Sequence, residues 1–166
     1  MALVTKELIV ALRTETGAPI SDCRKALEEA RGDLRRAREL LKERGKALQV
    51  AKAERTAGQG TVGVYVHHGG RVAALVILRC ETDFVAKNPV FQSFAKDLAM
   101  QVVAMNPAVV RAEDAPEGSR PEEHALLAQP SIRDPSGKKT VGDLLADRVL
   151  ELGENILVEK FIRFTV

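Results

Sequence analysis

The chain has 166 residues, 45% of them hydrophobic, which allows one medium domain or two small ones with a real core. Its 25 basic and 23 acidic side chains leave a formal charge of +2, too balanced to argue for a nucleic-acid surface. No apolar run reaches the roughly 18 residues of a membrane span, and helical patterning that starts almost at Met1 leaves no signal or transit peptide pattern.

Three amphipathic helices are predicted first. One runs from Val4 to Thr14 with Leu8, Ile9 and Leu12 on one face, and Gly17 and Pro19 break it. Ser21 is the expected cap of the second, which spaces Cys23, Ala26, Leu27 and Ala30 at helical intervals. Gly32 stops it, Asp33 caps a third carrying Leu34, Ala37, Leu40 and Leu41, and Gly45 is read as the end of that one. Residues 1–45 are therefore expected to form a separate three-helix domain, followed by a polar, alanine-rich connecting helix over 46–57.

From residue 58 to 166 the pattern predicts an α+β core. Val62, Val64 and Val66 alternate, His68-Gly69-Gly70 turns, and "RVAALVILRC" continues as a longer apolar strand, so a hairpin with one covered face is expected. Asn88 as cap with Pro89 at the first helical position starts a helix whose stripe is Phe91, Phe94, Ala95, Leu98 and Val102, ending at Asn106-Pro107. Residues 107–139, with five prolines, are expected to be mostly loop, with a short helix around Pro121 to Leu127. "TVGDLLADRVLEL" is a further amphipathic helix and "ENILVEKFIRFTV" a closing strand. In that strand Phe164 is assigned to the core alternation and Phe161 to the opposite face. The fold class expected is α+β, a helical domain followed by a small antiparallel sheet packed on helices.

Residue types that carry chemistry are sparse. His67 and His68 are adjacent on a strand end and point to opposite faces, so they do not share a metal, and a solvated turn is expected. Gly58, Gly60 and Gly63 precede a strand and do not open a helix, which is unlike a phosphate-cradling loop. Cys23 and Cys80 both fall in apolar periods, so buried free thiols in a reducing cytoplasm are expected. Nine Lys or Arg between Arg31 and Arg55 could form an RNA-contacting face, but interspersed Glu39, Glu43 and Glu54 fit a solvated helix better.

Phe84 is the exception. With only five Phe, one Tyr and no Trp, each aromatic can be assigned in turn, and Phe84 belongs to no packing period. It lies in "TDFVAK", between the strand end at Cys80 and the cap at Asn88, in what is expected to be a loop. There it either tucks under the sheet or projects as a binding residue, and the pattern favours neither.

Taken in order, "TGAPISDCRKAL", "GDLRRARELLKERG", "GVYVHHGGRVAALV", "CETDFVAKNPVFQSFAKDLAMQV" and "GENILVEKFIRF" resemble the elongation factor Ts family, nearly end to end. The resemblance implies a ubiquitin-associated-like N-terminal three-helix domain before the α+β core. It also implies guanine-nucleotide exchange without bond chemistry and without a cofactor or metal of its own. The partner would be elongation factor Tu, bound in its GDP and nucleotide-free forms in the cytoplasm, with no membrane and no direct nucleic acid. On this likeness Thr82, Asp83, Phe84 and Val85 dislocate the partner's magnesium and phosphate site, while Leu12 and Ile20 supply apolar contacts from the N-terminal domain. Family members often carry two methionines where this chain has Ile20-Ser21. The long members duplicate the half-core, which this chain has no room for, so a homodimer is expected. The competing readings are a non-enzymatic interaction adaptor and an RNA-binding module.

Overall fold

In the computed structural model, which describes residues 4–166, Thr5 caps helix α1 (Lys6–Thr16) by accepting the Leu8 N–H at 3.4 Å. Helix α2 (Ile20–Glu29) begins one residue before Ser21, with Pro19 in the cap position. Pro19 has an extended ψ of 145°, and its carbonyl takes the Asp22 and Cys23 N–H groups at 3.0 Å each. A rigid proline set the start here, where side-chain capping preference pointed to Ser21. Asp33 caps helix α3 (Leu34–Lys52) as expected, accepting from the Arg36 N–H at 3.0 Å.

Helix α3 runs through Gly45 without a break, so the expected stop there and the separate connecting helix over 46–57 are corrected. Gly45 serves packing. A Cβ on it would stand 3.0 Å from the carbonyl oxygen of Ala146. Ala146 lies far along the chain, which is why a local reading took the glycine for a terminator.

The chain divides into two compact units. One holds the residues up to Glu54 together with Ala146–Gly153, and the other holds Arg55–Leu145 with Glu154–Val166. In the helical unit Leu12, Cys23, Leu27, Ala37 and Leu41 form a buried cluster joined by Leu150. The buried Lys52 donates to the Gly153 carbonyl at 2.6 Å, which satisfies its ammonium and places a cation at a helix C-terminus.

The second unit is built on a three-stranded antiparallel sheet in the order β1 (Gln59–Val66), β2 (Val72–Cys80), β3 (Leu157–Thr165). Between β2 and the next long helix the chain makes one helical turn, α4 (Asp83–Ala86). Asn88 then caps α5 (Pro89–Met105), accepting from the Val90 N–H at 2.8 Å, and α5 buries Phe91, Phe94, Ala95, Leu98 and Val102 against the sheet. Residues 107–139 are better tied down than expected of loop. The short helix α6 (Pro121–His124) leads into the buried Ala125, Leu126 and Gln129. The Gln101 amide donates to Gln129 Oε1 at 3.2 Å and to the Pro130 carbonyl at 3.1 Å. Helix α7 (Val141–Leu152) precedes β3.

The covered face of the sheet is not the valine one. Val62, Val64 and Val66 are exposed, and Gly63 lies under α5, where an added Cβ would come within 2.0 Å of the Ala95 carbonyl oxygen. In a strand, glycine marks such close backbone approach. The assignment of Phe161 and Phe164 is likewise reversed. Leu78 pairs with Val158 but Ile77 with Lys160, so Glu159 is an extra residue in β3. Beyond it Phe161 faces the helix side opposite Val76, Arg163 donates to the Val103 carbonyl of α5 at 3.4 Å, and Phe164 is exposed on the outer face.

Gly63→Ala is expected to destabilise the protein by about 1–3 kcal/mol, the usual cost of overpacking, because helix backbone cannot yield as a side chain can. Thermal unfolding checks this. A Tm equal to that of the parent protein would show that α5 does not bear on Gly63.

Candidate functional site

The segment Thr82–Val85 is not a loop but the capped start of α4, a helix too short to hold itself together. Thr82 is its cap, extended at φ −119° and ψ 157°, and its hydroxyl accepts the Val85 N–H at 3.3 Å. The Ala86 N–H reaches the Thr82 carbonyl at 3.1 Å and Lys87 the Asp83 carbonyl at 3.1 Å. Ala86 is buried and anchors the inner side of the turn.

Two glutamates complete the support. The Glu154 carboxylate accepts the backbone N–H groups of Glu81 and Thr82 at 3.0 Å each, and the Thr82 hydroxyl donates to its other oxygen at 2.6 Å. In return Glu81 Oε1 accepts the Asn155 N–H at 2.6 Å, while the Asn155 side-chain amide donates to the Arg55 carbonyl at 2.7 Å. The Arg55 guanidinium lies 3.7 Å from Glu81 Oε1. Beneath the turn, burial and then the nearby Glu154 charge push the Cys80 thiol up to about 11. It therefore stays protonated, and its S–H points at the Thr82 carbonyl at 3.2 Å.

What the turn presents is apolar and acidic together. Phe84 is 84% exposed, Val85 is half-buried, and Asp83 is exposed and paired with Lys87 at 2.7 Å. The hydrogen bond and charge of Lys87 hold the Asp83 carboxyl below its ordinary value, so it is an anion at neutral pH. Phe84 projects, which decides between the two placements its sequence context allowed.

The four residues expected to act together thus share one turn, while Leu12 and Ile20 belong to the helical unit. Leu12 cannot be a contact. It is 0% exposed, inside the cluster with Leu27 and Leu41, because it sits on the α1 face that packs against α2 and α3. Ile20 is 55% exposed, and its apolar neighbour on the surface is Val10 at 52%. Both line a groove of about 560 Å³ with Ile9, Thr14 and Gly17 and with Lys6, Arg13 and Glu151 at charged positions. Val10 was not singled out by the sequence pattern because it lies off the apolar stripe of α1. Glu154 was also missed, since a glutamate after a helix-ending glycine gives no local sign of a partner at Thr82. Three arginines of the basic run of α3 are engaged by acids: Arg36 pairs with Glu39 at 3.1 Å, Arg38 with Glu15 at 2.7 Å and Arg44 with Glu29 at 2.8 Å.

Comparison with known proteins gives one family. Its model, described as Elongation factor TS, matches residues 20–133 and again 81–166. An elongation factor Ts from Carboxydothermus hydrogenoformans is 39% identical over 194 residues, covering 98% of this chain and 88% of the relative. One from Rubrobacter xylanophilus is 40% identical over 190 residues, covering 95% and 96%. One from Finegoldia magna is 41% identical over 206 residues, covering 100% and 91%. Each alignment is longer than the chain itself, so these relatives carry segments that this chain lacks.

Phe84→Ala is expected to leave Tm within about 2 °C of the parent, because an exposed side chain contributes within about ±0.5 kcal/mol. A Phe closing the core would instead cost about 3–5 kcal/mol. Thermal unfolding separates the two.

Proposed function

The chain belongs to the elongation factor Ts family of translation elongation factors, and on that premise we propose that it exchanges guanine nucleotide on elongation factor Tu. It binds the GDP form, disturbs the magnesium and phosphate site, and keeps the nucleotide-free partner until GTP enters. In this role it makes and breaks no covalent bond. The observation that carries the reading is Phe84, a large apolar side chain held out in water on a braced turn beside an anionic Asp83. Exposed aromatics on rigid supports are suited to insertion into a partner pocket. Phe84 and Val85 act as the wedge. Asp83 exchanges its Lys87 pairing for polar groups of the partner.

Magnitudes fit a contributing wedge. Burying one Phe side chain is worth roughly 1.5–3 kcal/mol, or about ten- to hundredfold in an equilibrium constant. If that burial is realised only when the nucleotide site is displaced, nucleotide affinity falls by that factor. By linkage, the loaded partner binds this protein more weakly by the same factor. The helical unit supplies a separate grip through Val10 and Ile20 at its groove, which supports the expectation of a partner-binding N-terminal domain with Ile20 kept and Leu12 replaced.

The second unit is proposed to pair with a second copy of the chain. Val62, Val64, Val66, Leu75, Ile162 and Phe164 form the outer face of the sheet and are all exposed. A contiguous apolar face of this kind marks an interaction surface, and two-fold symmetry lets the same face cover itself.

Release of a fluorescent GDP from elongation factor Tu tests the exchange reading. The parent protein should accelerate release, and Phe84→Ala should lose about ten- to hundredfold of that acceleration while remaining folded. Full activity in Phe84→Ala would remove the wedge. For the dimer, sedimentation at micromolar concentration should give twice the chain mass, and Val64→Lys together with Ile162→Lys should give the monomer. A monomeric parent protein would sink that proposal.

A further inference from the structure

We infer that Glu154 is the positioning residue of the exchange site, an inference that rests on the proposed exchange function. Its carboxylate never reaches the partner-facing side chains but fixes the turn that displays them. The first backbone N–H groups of a helix have no partner of their own. Two N–H groups just ahead of α4, those of Glu81 and Thr82, converge on one Glu154 oxygen at 3.0 Å each. Its second oxygen receives the Thr82 hydroxyl proton at 2.6 Å.

That last bond sets the polarity of the cap. A threonine hydroxyl has one proton and two lone pairs. An ionised carboxylate can only accept, so the proton is committed to Glu154 and a lone pair is left for the Val85 N–H at 3.3 Å. The ordering runs from Glu154 through Thr82 to Val85, and Phe84 is carried between the two capped residues. Glu81 closes the link in the opposite direction by accepting the Asn155 N–H at 2.6 Å. A turn of four helical residues has too few internal bonds to keep one orientation, so the direction of Phe84 is set from outside the turn.

The test is a double-mutant cycle on GDP release from elongation factor Tu, using the full chain as parent, Glu154→Ala, Phe84→Ala and the double variant. Glu154→Ala should lower the stimulated rate about tenfold or more, as expected for loss of charge-assisted hydrogen bonds. In the Phe84→Ala background the same change should matter less than about twofold, because the larger side chain of the wedge is no longer there to aim. Glu154→Gln, which keeps one accepting oxygen, should recover part of the loss. Amide hydrogen exchange at Val85 should quicken in Glu154→Ala while that of α5 stays slow. Equal losses in both backgrounds would reduce Glu154 to a general stabiliser and overturn the proposal. So would parental exchange by Glu154→Ala when Phe84→Ala is impaired, which leaves the function standing. Parental exchange by Phe84→Ala would instead remove the wedge and this inference with it, while a parent protein that fails to accelerate GDP release would overturn the exchange function itself.

Discussion

Everything in the second unit is referred to the contact of α5 with the sheet. At Gly63 the helix backbone and the strand backbone meet with no side chain between them, since a Cβ there would lie 2.0 Å from the Ala95 carbonyl oxygen. Contact this close leaves the helix little freedom to slide or roll. Its capped start at Asn88 is fixed relative to the end of β2 at Cys80. Residues 81–87 must span that interval. One capped helical turn with Ala86 facing inward is a compact way to do it, and the outward side of such a turn falls on Phe84.

A turn that displays a phenylalanine in water is costly to keep unless its backbone is fully satisfied. The surroundings of α4 contribute two carboxylate acceptors and one thiol donor: Glu154 accepts the N–H groups ahead of the turn, Glu81 accepts the Asn155 N–H, and the neutral Cys80 thiol donates to the Thr82 carbonyl. On the proposed function, the orientation of Phe84 is thereby settled before the partner arrives. Ordering a loop at the moment of association would subtract from the binding free energy, and preorganisation avoids that loss. On the proposed function, the two units differ in what they offer a partner. One has a groove with two exposed aliphatic residues, and the other holds Phe84 out on a braced turn.

How much of this could be read from the residues depends on how local each cause is. Asp33, Asn88-Pro89 and the His68-Gly69-Gly70 turn act within a few residues of themselves, and each element they bound was legible. Gly45, Gly63 and Glu154 act on Ala146, Ala95 and Thr82, and none of these pairings leaves a mark in the local pattern. The scarcity of aromatics singled out Phe84, but its exposure needed the structure. Leu12 shows the opposite failure. Its place on the apolar stripe of α1 already said core, and the family likeness drew it toward the surface against that sign. Val10, one helical step off the stripe, is the residue that a purely periodic reading discards as a surface position.

The extra residue at Glu159 gives β3 a change of phase part way along its length. Before it Val158 lies on the helix side, and after it Phe161 and Arg163 do, although an unbroken alternation from Val158 would have placed Lys160, Ile162 and Phe164 there. Because aromatics stand at both 161 and 164, either phase would offer one ring to each side. The tie is broken by Arg163, whose guanidinium finds the Val103 carbonyl only in the observed phase. Length is therefore a coded quantity in this strand. Gaining or losing one residue in the hairpin turn at 67–71 would alter a solvent-exposed connection. The same event beside Glu159 would turn half a strand inside out, exchanging its two faces without changing a single amino acid on either.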